Sequence, residues 1–551
     1  MSPVEHARAM LADMEPTALG LLLVATAAAA LLVPVLLSQL SFPRAFGAVP
    51  RPDLYTAKGS LPFLGLTVSV YKRGDRLPEY IVEMLEQRRK AGVTDPSRAL
   101  SWTVPGLRFV ALTQPHQLEY IQSTNFKNYV KGPLQRYVMG QVLGNGIFLS
   151  DGEDWHKQRK ATVRIFNNST YRGVITRSIS DALDVFASVM DHFVTSKQEF
   201  AISDLFAALT LDIFSEMSFS TKTGAIEGFK DGRPIPFAQA FDNTQRIMAR
   251  RQQQPFWPLL EPVDGTAKQM ARDTHIVHSY AENLIEKRQA EWERKLASGE
   301  GEVDDGYHDL LTEYLKVRDE KGQGLSKETL RDATVNLLIA GRDTTAGNLA
   351  WTLFHLLSNP SLLEGLRREA LELNDDRKLE FDRLREMHYA QAVWFETARL
   401  YPAVPTNFHT TVSDDKIPDG PRVEPGDLVC WSDWGAGRDK AIWGESAGVY
   451  DPSRWLDAEG RFKPASEFKM HAFNGGRRRC PGETLATFEG ISILLYLVHF
   501  YDLAFADDYL DTVEMLETER CAGPSPRYRC ALSLPMLEPL RVKVTRRKVD
   551  V

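Results

Sequence analysis

HAFNGGRRRCPGETLATFEG, residues 471–490, sets a single cysteine, Cys480, between three arginines and a Pro-Gly. A lone cysteine is ordinarily a small buried hydrophobe. Here Arg477, Arg478 and Arg479 supply positive charge, which favours thiolate over thiol. Gly475, Gly476 and Gly482 let the backbone come close to something large and flat. Pro481 suits the first turn of the helix predicted over ETLATFEGISILLYLVHFY, whose N-terminal N–H groups would face the sulfur. A thiolate held open in this way serves as a metal ligand or a nucleophile. The rest of the chain must decide between them.

The 551 residues suffice for one large domain or several ordinary ones. A hydrophobic content of 43% and a charged content of 25% are those of a globular protein. The net charge of -7 gives no reason to expect a nucleic-acid partner. Cys430, Cys480, Cys521 and Cys530 form no CxxC pair. That excludes a disulfide scaffold, argues against a four-thiolate zinc site and suits a reducing compartment.

Ala18 to Leu37, ALGLLLVATAAAALLVPVLL, is an uncharged run of 20 residues, long enough to cross a bilayer. Glu5, Asp13 and Glu15 outweigh Arg8 before it, and Arg44, Arg51 and Lys58 follow it. This bias keeps the downstream body cytoplasmic, and it is the wrong pattern for a cleaved signal; the alternatives to an anchor are an uncleaved core helix or an organelle transit segment. The expected division is a tail (1–17), a transmembrane anchor (18–37), a Pro/Gly-rich connector (38–65) and one catalytic domain (66–551). That domain reads as mainly α with small β-sheets. Strand-like pieces at 107–113 and 540–545 bracket the helices without alternating with them, so a βαβ arrangement fails. ASGEGEVDDG (297–306) and DEKGQG (319–324) read as exposed loops.

KETLRDATVNLLIAGRDTTAGNLAWTLFHLLSNP (327–360) predicts a core helix about 48 Å long, started by Ser326 and stopped by Asn359-Pro360. One mid-helix threonine is explained by a bond back to the preceding turn. Gly341, Asp343, Thr344 and Thr345 together are not, because glycine there costs about 1 kcal/mol. The expectation is that Gly341 lets a ligand press on the backbone, while the acid and alcohol relay protons. Further on, Glu396 and Arg399 share one face of the apolar helix MHYAQAVWFETARL (387–400), where an unpaired charge is expensive. Arg454 of DPSRW (451–455) is the expected third charge. Glu291/Arg294, Glu328/Arg331 and Glu364/Arg367 have the same spacing and read as surface pairs.

The order AGRDTT, ETAR, DPSRW, FNGGRRRCPG resembles the cytochrome P450 family from about residue 43 onward. That resemblance implies the cytochrome P450 fold, haem b as cofactor, Cys480 as the axial thiolate and Phe473 covering its sulfur. Trp155 and Arg159 of WHKQR match the helix that contacts a haem propionate. Arg478 is implied as a second propionate cation, and His409 is a further candidate. Asp343 and Thr344 would carry protons during oxygen activation. Asn336, Ile339, Ala340 and Val404 are expected along the distal pocket, with Asn336 either meeting a polar substrate group or capping a neighbour. No flavin or nicotinamide motif is evident. The resemblance therefore implies electrons from NADPH through a diflavin reductase, with cytochrome b5 as a second donor. Lys157, Lys160, Arg477 and Arg479 would form the docking patch. The implied location is the endoplasmic reticulum membrane, single-pass, with the body in the cytosol.

NFKNYVKGP (125–133), LGNGIFLSDGEDWHKQRK (143–160), IAGRDTTAGNLAW (339–351) and GRDKAIWGESAGVYDPSRWL (437–456) are similar to the plant and fungal fatty-acid and alkane terminal hydroxylases. Arg477 stands where that branch usually has Pro, and Pro481 where it has an aliphatic residue. A long-chain fatty acid or alkane is the implied substrate, and tailoring of a lipid-derived or other secondary metabolite is the alternative. A non-catalytic haem-thiolate sensor would keep Cys480 without needing Asp343 and Thr344. A cysteine hydrolase would need a histidine and an oxyanion hole, for which there is no local signature.

Overall fold

A computed structural model describes residues 16–233, 235–297, 309–317, 324–373, 378–516, 523, 525–529 and 531–548. The tail through residue 15, nearly all of the loops at 297–306 and 319–324, and Cys521 and Cys530 lie outside the described residues. The apolar run forms helix α1 (Pro16–Ser41), which continues past Leu37, so the connector begins at Phe42. Gly20–Ser41 is 22 residues long with a mean hydropathy of 2.5, and none of its most apolar window is buried against the body. Length, hydropathy and exposure make it a candidate membrane span. The connector is tied to the body by Arg51, which pairs with Asp53 at 2.6 Å and Asp427 at 3.3 Å.

The helices that follow include α2 (Thr67–Arg73), α3 (Gly152–Arg164), α4 (Ile202–Phe219), α5 (Pro236–Gln253), α6 (Trp257–Asp264), α7 (Lys327–Ser358), α8 (His388–Leu400) and α9 (Glu483–Phe500). Helix α7 has the expected limits. Ser326 Oγ accepts from the Thr329 N–H at 3.2 Å, and Asn359 ends the helix. It is buried along most of its length and packs against α4, α8 and α9. Helix α9 is apolar on every side and lies within the same core, as such helices must.

Strands β1 (Tyr55–Thr56), β2 (Leu100–Val104), β3 (Leu107–Ala111), β4 (Tyr129–Val130), β5 (Phe200–Ala201), β6 (Thr406–Thr411), β7 (Asp415–Lys416), β8 (Arg422–Val423), β9 (Leu428–Ser432), β10 (Tyr501–Phe505) and β11 (Arg541–Arg546) are short. They form a six-stranded sheet ordered β1-β2-β3-β9-β6-β4, a three-stranded sheet β10-β11-β5 and the pair β7-β8. In the large sheet β3 runs parallel to β9, with Phe109 opposite Leu428. Strands from before and after the helical body thus join in one sheet. The two strand-like runs read from sequence belong to different sheets, 107–111 to the first and 541–546 to the second.

Candidate active site

Two short helical turns, His471–Phe473 and Gly476–Arg478, shape the cysteine loop. The Cys480 N–H donates to the Phe473 carbonyl at 2.7 Å, which folds the loop over its own phenylalanine. Gly475 and Gly476 were expected to admit a flat ligand, but what they admit is protein. A Cβ on Gly475 would lie 2.4 Å from the Phe468 ring, and one on Gly476 would lie 2.5 Å from the Gln122 carbonyl oxygen. Gly476 also has a φ of +58°, which favours glycine. Pro481 precedes the cap: Gly482 is the N-cap of α9, so the proline stands outside the first turn. The expected amide contact is present, from Gly482 to the Cys480 sulfur.

The three arginines divide. Arg477 is exposed. Arg478 turns inward, pairs with Asp151 at 2.8 Å and stacks on Trp155, 4.7 Å from its ring centre. Arg479 is bound by Glu467 and Glu483, both at 2.8 Å. Arg479 draws Cys480 toward thiolate as expected, but it is outweighed. The residue is exposed, yet desolvation by surrounding protein pushes its thiol up to about 11. The Gly482 amide, Arg159 and Arg479 pull the other way and do not win, while Glu483 adds to the rise. A metal ion at the sulfur would supply the missing drive toward thiolate.

Beside this loop lies a cradle of basic side chains, most of them buried. His409, on β6, is 0% exposed, and neither ring nitrogen has a hydrogen-bond partner. Burial, then Lys131, Arg478 and His471, hold its pKa far below the usual histidine value. Arg478 Nε is likewise unpartnered. Lys131 is buried, and no carboxylate stands within ion-pair distance among the described residues. Desolvation and then Arg478 lower its pKa to about 7 against the pull of Asp151. Half-buried Arg159, on α3, has no protein ion pair among the described residues.

Several cations in one buried space, with unpaired donors, are costly unless an anion joins them. The two propionates of a haem fit that need, and Cys480 fits its iron. Lys131 was not singled out from the sequence. Its place follows from long-range pairing, because β4 joins β6 with Val130 opposite Thr410, next to His409.

In the middle of α7, Thr344 Oγ donates to the Ala340 carbonyl at 2.7 Å, the ordinary back-bond. Asp343 accepts from Gln245 of α5 at 2.5 Å and pairs with Arg342 at 3.0 Å, while Arg342 also meets Asp242 at 2.6 Å. Burial raises the Asp343 carboxyl above the usual range despite Arg342. Gly341 departs from expectation, since its missing side chain makes room for Phe214 of α4, whose ring would lie 2.0 Å from a Cβ. It is a helix-packing glycine.

Asn336 is fully buried and bonded to protein throughout. Its Nδ2 donates to the Leu143 and Asp332 carbonyls at 2.9 and 2.7 Å, and its Oδ1 accepts from the Phe148 N–H at 3.2 Å. Of the two expected roles, this geometry matches capping a neighbour, the turn at 143–148. Asn336→Leu is expected to lower the melting temperature, costing about 1–3 kcal/mol for each backbone group left unpaired, while product selectivity stays unchanged. Thermal melting and product ratios check both halves. Of the remaining pocket candidates, Ile339 packs into the main core at 7% exposure, Ala340 is half-buried, and Val404 is 40% exposed.

Glu396 is the centre of a buried cluster. Arg399 binds both of its oxygens at 2.7 Å, and Arg454 reaches it at 3.0 Å. Trp455 Nε1 at 2.9 Å and the Asp451 N–H at 2.7 Å complete the shell, and neither was foreseen. Of the three comparison pairs, Glu364/Arg367 forms at 2.7 Å, whereas Arg331 turns to Asp332 and Arg288 takes Glu291.

The family model for cytochrome P450 matches residues 97–517. Cytochrome P450 monooxygenase cyp1 of Mycosarcoma maydis is 35% identical over 516 residues, covering 91% of this chain and 77% of that protein. Cytochrome P450 704B1 of Arabidopsis thaliana is 27% identical over 88% of this chain and 94% of its own. Cytochrome P450 CYP94D108 of Paris polyphylla is 29% identical over 80% and 86% respectively. With the cysteine loop, the cation cradle and the acid–alcohol pair of α7 set in this fold, the chain belongs to the cytochrome P450 family, a haem-dependent monooxygenase and hence an oxidoreductase.

Proposed function

We propose that this enzyme hydroxylates a long aliphatic chain, a fatty acid or alkane, at or near its terminal carbon. The overall change is RH + O2 + NADPH + H⁺ → ROH + H2O + NADP⁺. Haem, when bound, supplies the chemistry that activates dioxygen. Cys480 would hold the iron and Phe473 would shield its loop. Arg159, Arg478, Lys131, His409 and Trp155 would receive the propionates. The observation that supports the haem-dependent part of this reading is the cradle itself, where buried His409 has no partner and Lys131 has no close carboxylate among the described residues.

Asp343 and Thr344 deliver protons. Burial keeps the Asp343 carboxyl ready to hold a proton, Gln245 fixes its orientation, and Thr344, the following residue, whose hydroxyl rests on the Ala340 carbonyl, passes the proton on. The aliphatic substrate rests on the resemblance of 125–133, 143–160, 339–351 and 437–456 to terminal hydroxylases. Electrons come from an NADPH-dependent diflavin reductase, with cytochrome b5 as a second donor, on the face of Lys157, Lys160 and Arg477. Arg479, being paired twice, adds little to that patch.

Reconstitution with reductase and a panel of fatty acids, alkanes and hydroxylated lipids, scored by spectral shift and product mass, tests the substrate. In the same assay Thr344→Ala is expected to bind substrate and consume NADPH normally, yet release hydrogen peroxide and little alcohol. Full coupling in that variant would remove the proton role.

The body belongs on the cytosolic face of the endoplasmic reticulum, held by α1. Deleting residues 1–41 is expected to release a haem-containing body from membranes. Glycosylation or protease protection of the full-length body would overturn this topology.

A further inference from the structure

His471 opens the stretch 471–490, and the chemistry described so far gives it no task. It starts the turn His471–Phe473 and is buried. Its Nδ1 lies 2.8 Å from Asp433 Oδ1, and its Nε2 lies 2.8 Å from Gln122 Oε1. Asp433 begins the short helix Asp433–Gly437 that follows β9, and Gln122 lies in the helical turn Tyr120–Thr124. Both are buried as well. Three segments distant in the chain thus meet at one imidazole.

The hydrogen-bond inventory fixes the protons. Gln122 Nε2 donates to Asn474 Oδ1 at 2.8 Å, and that oxygen also accepts from the Gly475 N–H at 3.1 Å. Turning the Gln122 amide round would set its oxygen against the Asn474 oxygen, which the Gly475 N–H holds in place. Gln122 therefore presents its oxygen to His471, and Nε2 of the ring must carry a hydrogen. Nδ1 faces a carboxylate oxygen, so a second hydrogen lies between those two atoms. In water above about pH 6.5, a separate histidine and aspartate hold one proton between them. This geometry needs two. Burial pushes the Asp433 carboxyl above its usual range against the pull of His471, which favours keeping the extra proton.

The bonded chain ends in the cysteine loop. Asn474 has a φ of +63°, a left-handed conformation uncommon outside glycine. Its N–H donates to the His471 carbonyl at 2.8 Å, closing the turn whose Phe473 carbonyl accepts the Cys480 N–H. On the other side, Trp431 of β9 stands edge-on to both His471 and His409, with ring centres 5.7 and 5.3 Å away. The same imidazole backs the cation cradle and the thiol loop.

We propose that Asp433, His471 and Gln122 form a buried strut that positions the cysteine loop, and that the strut closes only with a proton held between His471 and Asp433. They are positioning residues, acting on Cys480 through Asn474 and the Phe473 carbonyl. The proposal is independent of the substrate and rests only on haem binding at this loop.

The closed loop binds one proton more than the open loop wherever free histidine is neutral. Closure therefore weakens as pH rises, by up to tenfold in the closed-to-open ratio per pH unit above about 6.5. Of the charged groups nearby, Lys131 and Arg478 act from the cradle on His409, Glu467 is taken by Arg479, and Tyr120 is turned to Asp415. Lys131, lowered to about 7, titrates in the same window, so variants must isolate the strut.

Haem loss from detergent-solubilised holoprotein to excess apomyoglobin is followed by absorbance between about pH 6.5 and 9. The native rate is expected to rise with pH, by up to about tenfold per unit. Asp433→Asn offers Nδ1 a permanent N–H beside a neutral ring. It should keep the carbon-monoxide band and lose haem slowly, with only the shallow slope that Lys131 leaves. His471→Leu breaks both bonds and should lose haem at least about tenfold faster at pH 7, also without the steep slope. A flat native profile, or the native slope retained in either variant, overturns the proposal. So does native haem retention in His471→Leu at pH 7. If Asp433→Asn fails to fold, the His471→Leu profile decides alone. A native protein lacking the carbon-monoxide band would instead remove the haem-thiolate assignment itself.

Discussion

Cys480→Ala is expected to abolish the red-shifted carbon-monoxide band of the reduced protein and all hydroxylation. Among the described residues no other thiol can take its place. Cys430 is buried in β9, where desolvation pushes its thiol far above the ordinary range. His471 is nearby in sequence but committed, 2.8 Å from Asp433 on one ring nitrogen and 2.8 Å from Gln122 on the other. The backbone of the loop survives the change, because the bond from residue 480 N–H to the Phe473 carbonyl needs no side chain. The apoprotein should therefore melt within about 0.5 kcal/mol of native apoprotein, as an exposed side chain implies. Loss of the band without loss of folding identifies a ligand. A band that persists would show that another group holds the iron.

The limits of α7 were legible because caps are local: Ser326 and Asn359-Pro360 act on residues within one turn. The partners of its glycine were not. Gly341 announces that a Cβ is not tolerated, but sequence does not say whether a ligand or Phe214 fills the space. Gly475 and Gly476 pose the same ambiguity, with Phe468 and Gln122 as the answer. Asn336 in an apolar helix signals a buried polar need, and only the turn at 143–148 reveals that the need is for backbone partners.

Charge was read least well, because adjacency in the chain is not adjacency in space. Arg477, Arg478 and Arg479 are consecutive, yet one meets solvent, one turns into the cradle and one is neutralised by two glutamates. The thiol is thus governed by burial, which a run of letters does not report. Lys131 and His409 are far apart in sequence, and the β4–β6 pairing brings them together. Strand pairing across the helical body has no local signature, and the cradle shares that obscurity.

Glu396→Ala is expected to cost about 3–5 kcal/mol, a large part of the roughly 5–15 kcal/mol that holds a domain folded. The reason is what remains after truncation. Arg399 has a side-chain exposure of 1% and would keep its charge in the core with the nearest carboxylate gone. Its remaining bonds, to the Gly437, Ala447 and Val449 carbonyls, offer dipoles in place of a full charge. Trp455 Nε1 and the Asp451 N–H lose their acceptor in the same change. Arg454→Ala should be milder, because its side chain is 11% exposed and Glu396 would keep Arg399. Glu396→Gln should fall between, since it retains an acceptor but not the charge. The cluster packs against Phe395 and Phe473, whose rings lie 5.9 Å apart, so its collapse reaches the cysteine loop directly. Holoprotein yield from the carbon-monoxide band and thermal melting should follow the order Arg454→Ala, Glu396→Gln, Glu396→Ala. Normal haem content and melting in Glu396→Ala would reduce the cluster to ordinary pairing.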